Sequence, residues 1–255
     1  MNQYWEEFFS NWRKAGRGKA AAVHSLRITS RRLVVSLEIL AELSDERTIP
    51  QLRRRLKTVI RRLGQLRDIQ VQKKLTGAVI AETGIKGFRR HLDRKEGDEA
   101  KRTEDILDRE ERKTIERKSK QLESAFELLK LSDAAIRRAV QRIIRKRSVQ
   151  VGQASKELDV SDMDSVHRMR IGLKKLRYTL ESSSVVFGMP EAARLAEIKV
   201  EQRRLGHLRD LDMLRKSVLR WSRKHGTGGT RQEIRSIELK LRNSIGSQLK
   251  EGVDE

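Results

Sequence analysis

The chain has 255 residues, of which 36% are hydrophobic and 37% are charged. Its 58 lysines and arginines exceed its 36 acids by enough to give a formal charge of +22, which favours a polyanionic partner such as nucleic acid, polyphosphate or an anionic membrane surface. There is no cysteine, so disulfides and thiolate metal sites are excluded, and no apolar run approaches the roughly 20 residues of a membrane span.

The composition favours helices over strands. Only 2 prolines and 4% aromatic residues occur, whereas the abundant leucine, arginine, lysine, glutamate and alanine lose little rotamer freedom in a helix. The N-terminus also lacks the pattern of a secretion signal. We therefore expect an all-α, soluble, cytoplasmic protein without a membrane span.

The first part of the chain predicts three consecutive helices, over residues 2–14, 20–43 and 48–76. The second has an apolar side chain at every third or fourth position, as a packed helix face requires. Pro50 suits the first turn of the third. That third helix is strongly basic, because no acid precedes Asp68 in it.

A long, highly charged helix is predicted next, from about residue 97 to residue 130. Bases and acids nearly balance there and can pair along the helix, so we expect it to face solvent. Ser132 marks the start of another helix, over residues 133–150. The basic charge of the chain is therefore concentrated in particular helices.

Three further helices are predicted over residues 162–187, 191–222 and 231–250. Ser161 with Asp164 three residues later resembles a capping box at the start of the first of these. The turns between successive helices are short, which suits antiparallel neighbours.

Two motifs occur twice, at nearly equal offsets. The matching pairs of segments are VHSLRITSRRL (23–33) with VHRMRIGLKKL (166–176), and RRLGQLRDI (61–69) with RRLGHLRDL (203–211). Two motifs at almost one offset indicate an internal duplication. We therefore predict a single domain of two four-helix bundles related by a pseudo-twofold axis, with halves of about 1–131 and 132–255.

The first motif places His24, Arg27 and Arg31 on one stripe of a helix, spanning about 10 Å at 1.5 Å per residue. Arginine can hold two phosphate oxygens, and histidine is a donor whose charge rises as pH falls. The neighbouring helix adds Lys57 and Arg61. Because antiparallel neighbours bring both stripes to one wall, we expect a basic groove between the halves that holds a phosphate-rich ligand.

The second half repeats these positions with the same spacing. The repeated residues are His167, Arg170, Lys174, Lys199 and Arg203. Four neighbouring cations are predicted to line the edges of the groove: Arg32, Arg62, Lys175 and Arg204.

A solvated surface role is the alternative for any single cation in so basic a chain. We assign that role to Arg53, Arg55, Arg89 and Arg168. A lone histidine beside an apolar seam is ordinarily a packed residue, but its recurrence among the same cations favours a ligand role for His24 and His167. The other histidines lack that support: His91, His207 and His225.

Asp68 and Asp210 each follow an arginine in the second motif. We expect each carboxylate to pair with an arginine of the basic wall and hold it in position; a catalytic acid is the less favoured alternative. Gly64 and Gly206 are costly in a helix interior, so they predict the close approach of another helix or of the ligand.

Catalytic motifs are hard to find in the sequence. There is no G-x-x-x-x-G-K-[ST] loop, no H-E-x-x-H and no G-x-S-x-G. The histidines do not pair with carboxylates at i, i+4 on a common face, which argues against an ordinary metal site. We expect a binding protein without a catalytic, metal or cofactor site.

The paired His-x-x-Arg-x-x-x-(Arg/Lys)-(Arg/Lys)-Leu and Leu-Gly-x-Leu-Arg-Asp-(Ile/Leu) motifs resemble those of CHAD proteins, the conserved histidine α-helical domain family. The resemblance covers roughly residues 5–250. It implies two four-helix bundles around a basic channel that binds inorganic polyphosphate, in some members on polyphosphate granules. By correspondence with the family's motifs, the resemblance implies ligand contacts at His24, Arg27, Arg31, Arg32, His167, Arg170, Lys174 and Lys175. Further contacts are implied at Lys57, Arg61, Lys199 and Arg203.

Many relatives are fused to a triphosphate-hydrolysing CYTH domain marked by Glu-x-Glu-x-Lys. No such triplet occurs here, so no catalysis is implied, and we expect a stand-alone polyphosphate-binding module. One alternative is a protein that binds the nucleic-acid backbone, which the net charge supports equally, although aromatics for base stacking are few. The second alternative is an enzyme that acts on phosphate polymers.

Overall fold

The computed structural model describes residues 1–79, 86–129, 131–187, 192–225, 234–235, 237–241 and 243–244. These residues are almost entirely helical, and no strand occurs among them. The all-α class predicted from composition is confirmed.

The helices follow one another along the chain with short connections. Their bounds are α1 (Asn2–Gly16), α2 (Ala20–Ala41), α3 (Thr48–Val79), α4 (Lys86–Ile106), α5 (Arg109–Leu128), α6 (Asp133–Lys156), α7 (Met163–Phe187) and α8 (Ala192–His225). Of the last predicted helix, the described residues between 234 and 244 are helical, and the rest lies outside the described residues. No helix in the described ranges combines the length and apolar character needed to cross a membrane.

The prediction of one charged helix over residues 97–130 is wrong, because the helix is interrupted between the end of α4 at Ile106 and the start of α5 at Arg109. Trp12 of α1 donates its indole N–H to the carbonyl of Leu107 at 2.8 Å. Asp108 then caps α5 by accepting the backbone N–H of Glu111 at 2.6 Å. The partner that holds the break lies far away in the sequence, so local charge patterning does not reveal it.

The start of α7 also differs from its predicted form. Asp162, not Ser161, caps the helix, because its carboxylate accepts the backbone N–H groups of Asp164 and Ser165 at 2.9 and 3.1 Å. At α6 the prediction is confirmed, since the Ser132 side chain accepts a backbone N–H of the first turn.

The apolar seams predicted in the two repeats are buried. In the first half, α1, α2, α3 and α5 share a core whose fully buried side chains include Phe8, Val23, Leu26, Leu33, Leu37, Leu52, Leu56, Leu63 and Ile115. In the second half, α7 packs against α8 through Val166, Met169, Leu173, Leu176, Ile198, Leu205 and Leu208. Burial of each such side chain stabilises the fold by about 1.5–3 kcal/mol.

The two halves meet where α2 packs against α7 and α3 packs against α8. A further apolar cluster joins α4 to α8, because Phe88 and Leu92 lie against Leu214 and Trp221. Helix α4 also packs against α1 and α3, so it contacts both halves of the chain. The pseudo-twofold relation between the halves stays a prediction.

A buried ionic cluster ties four helices together beside this junction. The Arg147 side chain of α6 is 8% exposed and bonds to the carboxylate of Glu38, to the hydroxyl of Thr179 and to the carbonyl of Lys175. Glu38 also accepts Nη2 of Arg53 at 2.8 Å. The predicted solvated role is therefore wrong for Arg53, and likewise for Arg55, which pairs with Glu111.

Replacement of Glu38 by glutamine is expected to lower the free energy of unfolding by about 2 kcal/mol, because it leaves the buried Arg147 cation without a counter-ion. Urea denaturation measures this change. Glu42→Gln is the matched control, since Glu42 pairs with Arg142 at the exposed surface, and its expected cost is below about 0.5 kcal/mol. Equal costs would show that the cluster adds no particular stability.

Candidate anion-binding site

A cavity of about 500 Å³ lies between α2, α3, α7 and α8, where the two halves meet. We call it the central cavity. Its basic lining residues are His24, Arg27, Arg31, Arg67, Arg170, Lys174, Arg177, Lys199, Arg203 and Arg209. The acids that line it are Asp68 and Asp210. Cations therefore outnumber acids several-fold, so the unliganded cavity carries a large excess of positive charge.

Half of the predicted binding residues line the central cavity. They are His24, Arg27, Arg31, Arg170, Lys174, Lys199 and Arg203. His167 does not line the cavity but lies close to it, as the effect of the charges of Arg209 and Arg170 on its imidazole indicates.

The remaining predicted residues lie elsewhere. Arg32 stacks over the ring of Tyr4 at 5.6 Å and pairs with Glu181 at 3.6 Å. Arg204 pairs with Glu201 of its own helix at 2.8 Å. Four further cations do not line the central cavity either: Lys57, Arg61, Arg62 and Lys175. A residue's position in the repeat therefore predicts its helix and the face of that helix. It does not predict whether the residue lies where the helices cross and the cavity forms.

The two repeated motifs form one structural unit around a glycine. The guanidinium of Arg27 lies over Gly64, where a Cβ would be 3.6 Å from Nη1. The guanidinium of Arg170 lies over Gly206 in the same way, where a Cβ would be 3.4 Å from Nη2. The predicted close approach to these glycines is confirmed, and the approaching group is an arginine of the first motif.

The carboxylates of the second motif lie beside these arginines. Asp68 Oδ1 is 4.0 Å from Nη1 of Arg27, so the predicted pairing of Asp68 with an arginine of the basic wall is confirmed. The pKa of the Asp210 carboxyl is raised, because burial outweighs the opposing effect of the nearby charge of Arg170.

Burial, together with the crowding of like charges, disfavours the cationic forms in the free protein. Burial, and then the charges of Arg170 and Arg31, lower the pKa of Lys174 to about 6. Burial and the charge of Arg31 lower the pKa of Arg27 to about 10. A bound polyanion would relieve this repulsion.

The histidines of both repeats are affected in the same direction. Burial first, and then the charges of Arg67 and Arg27, lower the pKa of His24 below 6.5. Burial and then Arg209 lower the pKa of His167. Each histidine therefore gains its charge only under mildly acidic conditions, or when an anion is bound.

Sequence reasoning did not assign binding roles to several lining residues. Arg67 and Arg209 belong to the second motif, whose aspartates alone were predicted to contact the basic wall. Arg177 lies three residues after Lys174 on the same helix face, so helical spacing alone points to it. Its guanidinium stacks over the ring of Tyr178 at 4.8 Å, and its Nε is 3.6 Å from the carboxylate of Glu181.

Replacement of Gly206 by alanine is expected to weaken binding of a phosphate polymer roughly fivefold, the equivalent of about 1 kcal/mol. The added Cβ would lie 3.4 Å from Nη2 of Arg170, a tight contact that restricts how the guanidinium can turn toward a ligand. The same change is expected to raise stability by up to about 1 kcal/mol, because alanine is the better helix former. Titration calorimetry and thermal unfolding measure the two effects.

Gly152→Ala is the control for that substitution, since a Cβ at this position of α6 meets nothing within 4 Å. It should give the stability gain without the loss of affinity. If both variants bind like the wild type, the contact between Gly206 and Arg170 has no role in binding.

In the part of the chain that the structure describes, no group of three or more histidine, aspartate or glutamate side chains is arranged to hold a metal ion. The ligand chemistry of the central cavity is that of guanidinium, ammonium and imidazole donors, which suits phosphate oxygens.

Comparison with known proteins agrees with this architecture. The sequence matches the family profile of the CHAD domain over residues 2–219. The structure is similar to the crystal structure of the CHAD domain from the plant Ricinus communis, with a TM-score of 0.72 and 18% sequence identity, over 96% of this chain and 84% of that chain. At this sequence identity the similarity supports a shared fold and nothing further. No curated protein matches the sequence. Because the family profile spans most of the chain, this protein belongs to the CHAD domain family.

Proposed function

We propose that this protein binds inorganic polyphosphate in the central cavity as a non-catalytic module. One observation carries the proposal: arginine and lysine side chains from both repeats converge on a single cavity. A polyanion held there gains many charge-assisted hydrogen bonds and releases its condensed counterions.

A polymer matches the cavity better than a single phosphate does. One phosphate carries at most about two negative charges at neutral pH, whereas nine arginines and lysines line the central cavity. Several linked phosphates are needed to balance them. Because one molecule carries all the linked phosphates, its loss of translational freedom is incurred once and not for each phosphate.

Nucleic acid fits the same cavity less well. A DNA duplex, whose major groove alone is about 12 Å wide, cannot enter a space of about 500 Å³. A single strand gains much of its affinity from bases stacked on aromatic side chains. The aromatic residue that lines the cavity, Tyr178, is 4% exposed and already covered by Arg177.

A competition assay at fixed ionic strength tests the proposal. Protein bound to fluorescent DNA is titrated with long-chain polyphosphate, and the reverse titration is run in parallel. Polyphosphate is expected to displace DNA at a lower concentration of phosphate units than DNA needs to displace polyphosphate. The opposite order would favour a nucleic-acid-binding protein.

The non-catalytic part of the proposal needs its own assay. Incubation with polyphosphate and divalent cations is expected to release no inorganic phosphate above the protein-free rate. Release that depends on both the protein and the divalent cation would replace the binding module with an enzyme.

Binding to the polymer would also place the protein on polyphosphate granules in the cytoplasm. A fluorescent fusion of the full chain is expected to coincide with granules in cells that accumulate polyphosphate. The same fusion carrying Arg27→Ala and Arg170→Ala is expected to be diffuse, and equal recruitment of both fusions would contradict association through the central cavity.

A further inference from the structure

A second cavity, of about 540 Å³, lies between α4 and the end of α8. Its lining residues are Gly87, Arg90, Asp93, Arg94, Trp221 and His225. None of them lines the central cavity, and none belongs to the repeated motifs. The second cavity is therefore a separate feature that the duplicated binding site does not explain.

The charge of the second cavity is positive. Arg90 and Arg94 lie one turn apart on α4, and both are exposed. The acid of the lining, Asp93, is held by Lys73 at 2.7 Å. Within the described ranges neither Arg90 nor Arg94 has an ion-pair partner, so both guanidinium groups are available to an anion.

Lys95 and Lys224 add positive charge near the second cavity, because their charges act on the imidazole of His91. His91 lies beside the cavity, with its ring centroid 6.2 Å from that of His225. Burial first, and then the charges of Lys95, His225 and Arg94, lower the pKa of His91. The positive potential therefore extends beyond the two arginines.

An aromatic stack forms the opposite wall. The rings of Trp221 and His225 lie 5.4 Å apart with their planes at 12°. Nδ1 of His225 donates to the backbone carbonyl of Trp221 at 3.1 Å, which holds the imidazole against the indole. Phe88 contacts Trp221 edge-on at 5.7 Å from within the apolar cluster. The two parallel rings therefore form a flat wall, and the apolar cluster behind Trp221 holds it in place.

Gly87 allows the indole to lie directly against α4. A Cβ at this position would be 2.9 Å from Cζ2 of Trp221, closer than two carbon atoms can approach without displacement. The absence of a side chain at Gly87 thus brings the aromatic wall next to the face of α4 that carries Arg90 and Arg94.

We propose that the second cavity binds a mononucleotide, whose base packs against the exposed imidazole of His225, which the buried Trp221 supports from behind, and whose phosphate contacts Arg90 and Arg94. An aromatic wall offers a base a stacking surface, and paired guanidinium groups offer its phosphate charge-assisted hydrogen bonds. The volume lies in the range of small-molecule sites. A plain phosphate would engage the arginines but leave the aromatic wall unused.

Titration calorimetry of the full chain with adenosine monophosphate and with ribose 5-phosphate, at low and fixed ionic strength, tests the proposal. The two probes carry the same phosphate and differ in the base. Adenosine monophosphate is expected to bind about tenfold more tightly, because of stacking. The Arg90→Ala, Arg94→Ala double variant is expected to lose affinity for both probes by about tenfold or more. His225→Ala is expected to remove only the preference for adenosine monophosphate.

The substituted side chains are exposed, so each variant should keep the circular dichroism spectrum of the wild type. Arg54→Ala with Arg117→Ala removes the same charge from exposed positions outside both cavities and is expected to leave the affinity for adenosine monophosphate unchanged. Arg170→Ala, in the central cavity, is expected to leave it unchanged as well. This separates the proposal from polyphosphate binding.

Three results would overturn the proposal. Equal affinity for the two probes would mean that the aromatic wall binds no base. Wild-type affinity in the Arg90→Ala, Arg94→Ala variant would mean that these arginines bind no phosphate. Loss of affinity in Arg170→Ala would place the nucleotide in the central cavity.

Discussion

Replacement of both Arg27 and Arg170 by alanine is expected to lower the affinity for long-chain polyphosphate by about a hundredfold or more. Both side chains line the central cavity and lie close over a glycine of the neighbouring helix. A hydrogen bond to a charged group contributes about 1.5–3 kcal/mol, so the loss of one arginine from each repeat corresponds to at least about two factors of ten. Fluorescence anisotropy with labelled polyphosphate at fixed ionic strength measures the change.

Arg89→Ala with Arg168→Ala is the matched control. It removes the same charge from exposed positions that do not line the central cavity. Bulk attraction falls equally in both variants, so the control is expected to lose less than about threefold in affinity. If the two double variants bound equally weakly, net charge alone would account for binding.

The Arg27→Ala, Arg170→Ala variant should unfold at the temperature of the wild type or above it. Burial lowers the pKa of both arginines, that of Arg27 to about 10. Their cations are therefore less favourable in the folded protein than in the unfolded chain, and removal of the cations removes that cost. A thermal unfolding scan without ligand separates this result from a loss of affinity caused by misfolding.

Polyphosphate binding is expected to take up about one proton per protein molecule near neutral pH, and Lys174 is the group that receives it. The pKa of Lys174 in the free protein is about 6, through burial and the charges of Arg170 and Arg31, so the amine is mostly neutral at pH 7.5. Phosphate oxygens in the cavity favour the ammonium form and raise that pKa. Calorimetric titrations in buffers of different protonation enthalpy measure the uptake.

The sign of the pH dependence follows from this shift. Between pH 6 and the higher pKa of Lys174 in the complex, the complex binds more protons than the free protein. Affinity therefore rises as pH falls, by up to about tenfold per pH unit. Below pH 6 the free amine is already charged and its contribution levels off. His24 and His167, whose pKa values are lowered mainly by burial, add to the uptake only at lower pH.

Lys174→Met is expected to flatten the pH profile above pH 6 and to abolish the proton uptake there. It should also change the stability of the free protein. Because the pKa of Lys174 is lower in the folded than in the unfolded chain, wild-type stability rises with pH above 6, and the variant should lack that rise. A variant that still takes up one proton at pH 7.5 would show that another group receives it.

The features that sequence predicts well here are those that local spacing determines. Leu26 and Leu33 recur at helical intervals, and both are fully buried. Arg27 and Arg170 occupy the same place in a repeated motif, and both reach the central cavity. Gly64 is unfavourable in a helix interior, which pointed to a close approach.

The features that sequence missed depend on partners from distant parts of the chain. Trp12 holds the break between α4 and α5 through a carbonyl in that connection. Arg32 belongs to the basic motif, but it pairs with Glu181 of another helix and does not line the central cavity. Lys57 and Lys199 are equivalent in the repeat, yet only Lys199 lines the cavity. Helical periodicity in the sequence does not predict which distant residues a side chain contacts in the folded protein.

A crystal structure of the protein with polyphosphate of defined chain length tests the central claim most directly. The predicted result is a chain of phosphates between α2 and α7, in contact with Arg27, Arg170 and Lys174. One continuous chain would show that both repeats hold a single ligand. Phosphates bound only on the outer faces of the helices, with none in the central cavity at saturating ligand, would contradict the account.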